Sequence, residues 1–439
     1  MKLLTKLLTD LDAGTARRAV LESYYAGTQP LAFLSPEART AIGPRFGRMA
    51  ANIPRLAVTA LAERLRVTGF SVAGRPDATL WADWTRNDLD QLAGVAHREA
   101  LTLGESFAIA WADARGNPQV SIESAAQVAV LRDPATRQVV AAVKRWGTPT
   151  STEVTLFEPD QITRFSSDAI GATTGFKTVG VLPNPFGVVP VVPLRNSDRL
   201  LGRAGSELDD LVPLVDALNK TLADMLVSSE YVGRPRRWAT GIELVEEDVL
   251  DEAGQPTGDT RAVNPFPEGN RMMVSENPES KIGQLDAADL NGYEAAVRVI
   301  VSQIMAVSAL PSHYVGVLAN QPASADALRA AEASLTARAE ARQQTFGPAW
   351  EQIAKLMIAT RTGADPLALD VRVEWADAST RSIAQEADAV TKLFAAGLLP
   401  ASYALKRLGY SADEIDAIRT ARRTEALDAA GTDLAGLLP

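Results

Sequence analysis

Histidine occurs only at His97 and His313, and cysteine does not occur at all. With no cysteine there is no thiolate nucleophile, no disulfide and no Cys-ligated zinc. The two histidines lie far apart in sequence and belong to no His-Glu-x-x-His pair, so no zincin motif exists. His97 falls in a predicted helix over residues 88–103 and reads as a packed or surface side chain. His313 reads as a turn residue beside a loop. A phosphate-cradling Walker lysine is missing, and "GRAGSE" lacks the third glycine and the preceding strand of a dinucleotide fingerprint. Carboxylate neighbours such as Asp209/Asp210 and Glu246/Glu247 are expected among 54 acidic residues and read as solvated faces, not a glycosidase pair. The sequence therefore offers no catalytic residue, no metal ligand set and no cofactor motif, and the expectation is a protein that is not an enzyme.

Charge narrows the class further. The chain of 439 residues carries a net charge of −10, with a pI near 5.0 and a mean hydropathy of −0.03. A monomer with that balance does not wrap DNA, because phosphate binding needs clustered Lys and Arg. One compact basic cluster stands out, "RPRRW", with Arg234, Arg236 and Arg237. It reads as a solvated turn, a surface for an acidic partner, or a phosphate contact. The region "SIAQEADAVTKLFAAGLLPASYALKRLGYSADEI" has the rhythm of a helix-turn-helix, but "ASYALKRLGYS" supplies only Lys406 and Arg407, too few for a recognition helix. A packed helical bundle is the preferred reading.

The elements that must carry these residues follow from periodicity. "MKLLTKLLTDLDAG" places Leu3, Leu4, Leu7, Leu8 and Leu11 on one helix face and lacks the apolar run of a signal peptide. No stretch reaches the ~18 apolar residues of a membrane span. The first ~95 residues read mainly helical, with Ser35, Pro36 and Glu37 as a helix start and Leu56, Ala60 and Leu61 on one face of the next helix. Between 105 and 165 the period shortens to two, which predicts a small antiparallel sheet with "RDPATRQ" as a turn. "GVLPNPFGVVPVVPLRNS", with four prolines, predicts an extended connector.

Ser206 and Asp209 then resemble a capping box ahead of a heptad seam: Leu208, Leu211, Val215, Leu218, Leu222 and Met225. Pro213 within it predicts a bend. A Gly/Pro-rich insert over 233–286 follows. A second apolar face comes next, carried by Tyr293, Val297, Ile300, Ile304 and Val307 and ended by Pro311. Two helices bracketing a loop-rich insert predict a stalk with a small head. From Ser324, an N-cap followed by Asp326, a helix of ~37 residues is expected to run to about Arg361, bent at Gly347-Pro348. Its apolar face holds Leu328, Leu335, Phe346, Trp350, Ile353 and Leu356. "ALDVRVEWAD" predicts one strand returning to the earlier sheet, and the last ~60 residues are helical again.

This order resembles that of bacteriophage portal proteins of long-tailed double-stranded DNA phages. The likeness is carried by "YYAGTQPLAFL", "NIPRLAVTALAERLRVTGF", "LTLGESFAIAW", "NPFGVVPVVPLRNS", "LPSHYVGVLANQPASADALRAAEASL" and "EADAVTKLFAAGLLPASYALKRLGYS". The resemblance implies an α+β, mainly helical subunit. It would have a wing over 1–205, stem helices over 206–232 and 288–310, and a loop-rich clip over 233–287. A channel loop over 311–323, a long helix with a returning wing strand over 324–378, and a C-terminal helical crown over 379–439 complete it. It implies a dodecameric homo-oligomer at a capsid vertex of the virion, assembled in the host cytoplasm, with double-stranded DNA passing through its channel. The partners implied are the terminase large subunit, a head–tail connector, and the major capsid and scaffold proteins, with no membrane and no cofactor.

On that reading the uncharged segment containing Tyr314, Val315, Gly316, Val317, Leu318, Asn320 and Gln321 is the channel loop. The seam with Val297, Ile300 and Ile304 is stem packing, and Arg234, Arg236 and Arg237 are a partner or phosphate contact. The alternative expectation is another oligomeric phage structural or helical scaffold protein without a DNA channel.

Overall fold

The computed structural model describes residues 2–31, 51–201, 203–233, 237–241, 245–250, 255–263, 278–284, 290–316, 324–379, 383–410 and 412–435. The chain divides into two units, Met1–Ala378 and Ser379–Pro439.

In the first unit, α1 (Lys2–Ala13) buries Leu4, Leu7, Leu8 and Leu11, the predicted face. Three of them pack on one side of a five-stranded antiparallel sheet, against Val143, Val154, Leu156 and Phe165. The strands of that sheet are β5 (Val128–Arg132), β6 (Val139–Gly147), β7 (Thr152–Phe157), β8 (Gln161–Ser167) and β9 (Lys177–Pro183), in sequence order. "RDPATRQ" is the β5–β6 turn: the Asp133 carboxylate accepts from Ala135 N at 2.7 Å, and Asp133 N donates to Gln138 O at 2.9 Å. The predicted single sheet over 105–165 is in fact two. Strands β3 (Glu105–Ala112) and β4 (Pro118–Ser124) form a separate sheet with β10 (Val191–Arg195), in the order β10-β3-β4. The proline-rich connector is extended as expected, but it supplies both β9 and β10. Pro193 is tolerated because β10 is an edge strand, where a missing N–H need not face a neighbour.

Helices α2 (Thr15–Ala26), α3 (Ile53–Ala62), α4 (Ala78–Arg86) and α5 (Leu89–Leu103) build the rest of this region. A strand that periodicity did not reveal, β1 (Val67–Val72), lies among them and pairs with the two-residue β2 (Arg75–Pro76). The predicted returning strand, β15 (Val371–Trp375), pairs with β1, not with the 105–165 sheets. Sequence alternation marks a strand but not its partner.

The long helix, here α8 (Ala325–Thr362), has 38 residues and a length of about 57 Å at ~1.5 Å per residue. The Ser324 hydroxyl accepts from Ala327 N at 3.2 Å, the expected N-cap. The helix continues through Pro348. Leu335, Phe346, Trp350, Ile353 and Leu356 are buried, whereas Leu328, near its start, is exposed. Two further helices, α6 (Val212–Gly233) and α7 (Asn291–Ser308), bracket an insert whose described residues include the short strands β11 (Arg237–Thr240), β12 (Val245–Leu250), β13 (Pro256–Val263) and β14 (Lys281–Gln284). Pro213 falls in the first turn of α6, where its missing N–H is not needed, so the predicted bend has no cause. Residues 206–211 form a turn ahead of it. Ser206 N donates to the Asp209 carboxylate at 2.8 Å, and the Ser206 hydroxyl accepts from Leu208 N at 3.0 Å.

The second unit holds α9 (Ile383–Ala395), α10 (Ala401–Arg407) and α11 (Ala412–Ala435), helical as read from the sequence. Val390, Ala404 and Ile415 are its buried apolar residues among those described. No described helix is long and apolar enough to cross a membrane.

His97 is a core residue. It is fully buried, stacked on Phe346 with ring centroids 5.4 Å apart, and edge-on to Trp350. Trp350 Nε1–H donates to His97 Nε2 at 2.8 Å, so a neutral ring carries its proton on Nδ1. Burial pushes the imidazole from 6.5 down to about 3, a backbone interaction with Leu65 opposing. The unfolded chain takes up this proton near pH 6.5, the folded chain only near 3. The contribution is therefore complete above pH 6.5 and lost as pH falls, by up to ~1.4 kcal/mol per pH unit. Replacing His97 by Phe orphans the Trp350 N–H and should cost about 1–3 kcal/mol at pH 7. It should also flatten the urea-unfolding stability between pH 4.5 and 6.5; an unchanged slope would contradict the assignment.

Candidate channel segment and its supports

Helices α6 and α7, the predicted stem, pair because each carries an apolar stripe. Leu208, Leu211, Val215 and Leu218 are buried in the same core cluster as Val301 and Ile304, with Leu222, Val297 and Ile300 half-buried against it. Met225, further along α6, is also half-buried. The Ser228 hydroxyl meets Tyr293 OH at 3.0 Å, placing the end of α6 beside the start of α7, so the helices run antiparallel. Burial is complete at the base of the pair and decreases toward the insert. The base is tied down by polar contacts: Tyr24 OH donates to Asp216 at 2.6 Å, and the Asn219 side chain accepts from Ala51 N at 2.9 Å.

At the far end of the pair, β11 pairs with β14 and β12 with β13, each as a two-stranded antiparallel ladder. The Trp238 ring lies over Gly283, where a Cβ would approach it within 2.6 Å; glycine is the residue that admits this packing. Arg237 is in β11, in register with Gln284. Arg234 and Arg236 lie outside the described residues.

Helix α7 ends on Ala309, in the left-handed region at φ 59°, two residues ahead of the predicted channel segment at 311–323. Residues Ser312–Val315 form a 3-10 turn closed by Gly316 at φ 74°. Tyr314 and Val315 are half-buried against the main core. Val317, Leu318, Asn320 and Gln321 lie outside the described residues. The foot of the segment is fastened by charge. Arg64 donates to Tyr314 OH at 3.3 Å and pairs with Glu332 at 3.3 Å, and His313 Nε2 is 3.4 Å from the other Glu332 oxygen. Arg64 also donates to Ala378 O at 2.8 Å. Glu332 is on α8, the helix that begins directly after the segment, so one helix holds both flanks.

A second cluster ties α8 to the stem. The Glu207 carboxylate, just ahead of α6, accepts from Arg342 at 2.7 and 2.9 Å and from Asn196 at 3.0 Å, with Arg338 at 3.6 Å. Arg338 also donates to Val307 O, in the last turn of α7, at 3.0 Å. Gln343 donates to the carbonyls of Arg64 at 3.1 Å and Ala376 at 3.0 Å. Sequence reasoning named none of Arg64, Glu207, Glu332, Arg338, Arg342 or Gln343. Their partners are mostly more than a hundred residues away, and no local pattern announces such pairs. No group of His, Cys, Asp and Glu able to hold a metal occurs among the described residues. Glu207→Ala would leave Arg342 buried without its carboxylate and should cost about 3–5 kcal/mol in chemical denaturation. Arg338→Ala, at a longer and more exposed contact, should cost about 1 kcal/mol or less; equal costs would contradict the Glu207–Arg342 pair as the main tie.

Comparison with known proteins places this architecture. Residues 17–426 match the family model described as phage portal protein, SPP1 Gp6-like. The portal protein of Mycobacterium phage D29 is 33% identical over 403 residues, covering 88% of this chain and 81% of that protein. The portal protein of Mycobacterium phage L5 is 33% identical over 408 residues, covering 88% and 80%. Among solved structures, a chain from the neck of a native gene transfer agent particle aligns over 90% of this chain and 98% of its own length, at 14% identity and a TM-score of 0.46. A match to the family model across nearly the whole chain, with one-third identity to two relatives over most of their length, shows that this chain belongs to the phage portal protein family.

Proposed function

We propose that copies of this chain form a dodecameric ring at one vertex of the capsid, and that double-stranded DNA enters and leaves through the central channel. The observation that supports this most directly is the fastened channel segment, with its flanks held on one 38-residue helix. An uncharged segment on a rigid mount can touch a duplex without gripping it. Phosphate contacts by Lys or Arg would add counterion-release affinity and stall movement. The acidic balance of −10 per chain, multiplied around a ring, favours weak contact in the same way. The role is structural, not enzymatic, and motive energy comes from a partner ATPase.

In this reading 1–205 with β15 is the wing, α6 and α7 are the stem, 233–287 is the clip that meets the terminase large subunit and later the head–tail connector, and 379–439 is the crown. The wing and crown face capsid and scaffold proteins. Arg234, Arg236 and Arg237 stand at the entry to the clip, suited to an acidic partner surface or a phosphate.

Negative-stain imaging of the purified chain should show rings with a central hole; oligomers without a hole would favour a structural role without a DNA channel. In intact rings, Val317→Lys with Asn320→Lys puts two added cations per copy on the channel segment. DNA packaged per prohead should then fall at low salt and recover as salt rises. Unchanged packaging at low salt would place the segment away from DNA.

A further inference from the structure

Residues 197–203 connect β10 to the turn ahead of α6. Leu200 and Leu201 there are 77% and 98% exposed, the two most exposed large apolar side chains among the described residues. A pair of adjacent leucines held in water marks a contact surface more often than chance. The neck below them is rigid. Asn196 N donates to Gly104 O at 2.8 Å, Gly205 N to Asn196 O at 2.9 Å, and the Asn196 side chain to Gly205 O at 2.8 Å. It seats directly on Gly104, at φ +97°, where a Cβ would meet Ala204 O at 2.7 Å.

The same unit carries a groove of about 360 Å³ between α2 and α5, with Tyr25, Val95 and Leu103 among its walls. Two carboxylates, Glu22 and Glu99, line it against one cation, Arg98. The leucine pair has the opposite balance, with Arg199 and Arg203 flanking it and one carboxylate, Asp198. Neither leucine lines the groove of its own chain.

We propose that Leu200 and Leu201 of one copy seat in the α2–α5 groove of the next copy, with Arg199 and Arg203 set against Glu22 and Glu99. Projection and groove share no residue; with each copy offering its projection to one neighbour and its groove to the other, the contact is head-to-tail, the kind that closes into a ring when the rotation permits. Opposite charge around an apolar centre selects partner and register. The assignment rests on the ring reading and names the surface that makes it.

The chain has no native cysteine, which makes the test direct. The full chain carrying Val95→Cys and Leu201→Cys is assembled, mildly oxidised and run on non-reducing gels. The expected result is a ladder of covalent multimers that collapses to monomer on reduction. Each single-cysteine variant alone should stay monomeric, and the two co-expressed should give covalent dimers. Rings that image normally while their thiols stay free, or crosslink only within one chain, would overturn the contact and leave the ring reading intact. Absence of rings from the unmodified chain would remove the ring reading and this contact with it. If the cysteine pair itself disturbs assembly, charge reversal decides. Arg199→Glu with Arg203→Glu should lower the ring fraction at least tenfold at fixed concentration. Adding Glu22→Arg and Glu99→Arg should restore at least half of it. Full assembly of the first reversal, or no recovery in the second, would also overturn the proposal.

Discussion

The long helix α8 is the member on which the rest of the first unit hangs. One face buries Leu335, Phe346, Trp350, Ile353 and Leu356 in the main core. Burial of that kind is strong but non-directional, and by itself would tolerate a shift along the helix axis. Direction comes from the polar side chains spaced along α8. Glu332 holds Arg64, Arg338 and Arg342 hold Glu207, Gln343 holds two backbone carbonyls, and Arg361 holds the buried Asp83. Each of these has a defined geometry, so together they set the register of α8 against α3, the stem base, β15 and α4.

That register is what positions the described flanks of the candidate channel segment, Ser312–Gly316 and the first turns of α8. The segment follows α7, which ends on Ala309, and α8 begins directly after it at Ala325. Its foot, His313 and Tyr314, is fastened to Arg64 and to Glu332 on that same helix. Movement at the foot is thus resisted by a buried ion pair, and breaking one partner of such a pair is costly. Arg64 additionally reaches Ala378, the last residue of the first unit. One guanidinium therefore joins the foot of the segment, the long helix and the exit of the chain toward the second unit.

The stem shows the complementary strategy. Its facing stripes, Leu211, Val215 and Leu218 against Val301 and Ile304, are buried at the base and give way to half-buried residues toward the insert, whose described strands form two-stranded ladders. Two-stranded ladders are marginal alone, so the described strands of the insert depend on the helix pair that carries them.

Much of the architecture was legible before any coordinates. Heptad spacing from Val215 to Met225, the Ser324 cap, the leucine stripe of α1 and the "RDPATRQ" turn are local patterns, and local patterns are set by helix and strand periods along the chain itself, whereas Leu208 and Leu211 sit in the turn ahead of α6. What failed was what depends on partners. Alternation in "ALDVRVEWAD" announced a strand, but its pairing with β1 was decided by packing between segments some 300 residues apart in sequence. Pro213 reads as a helix breaker only until the helix start is known; a six-residue shift of that start makes it a favourable first-turn residue. His97 looked like a bland helical residue and is one, yet its neutral, fully buried state follows from Phe346 and Trp350, which arrive from the other end of the chain. The same holds for the candidate channel segment. Its lack of charge is written in the sequence, whereas the Arg64–Glu332 clamp that fastens its foot exists only once folding brings residues 64, 314 and 332 within hydrogen-bond distance.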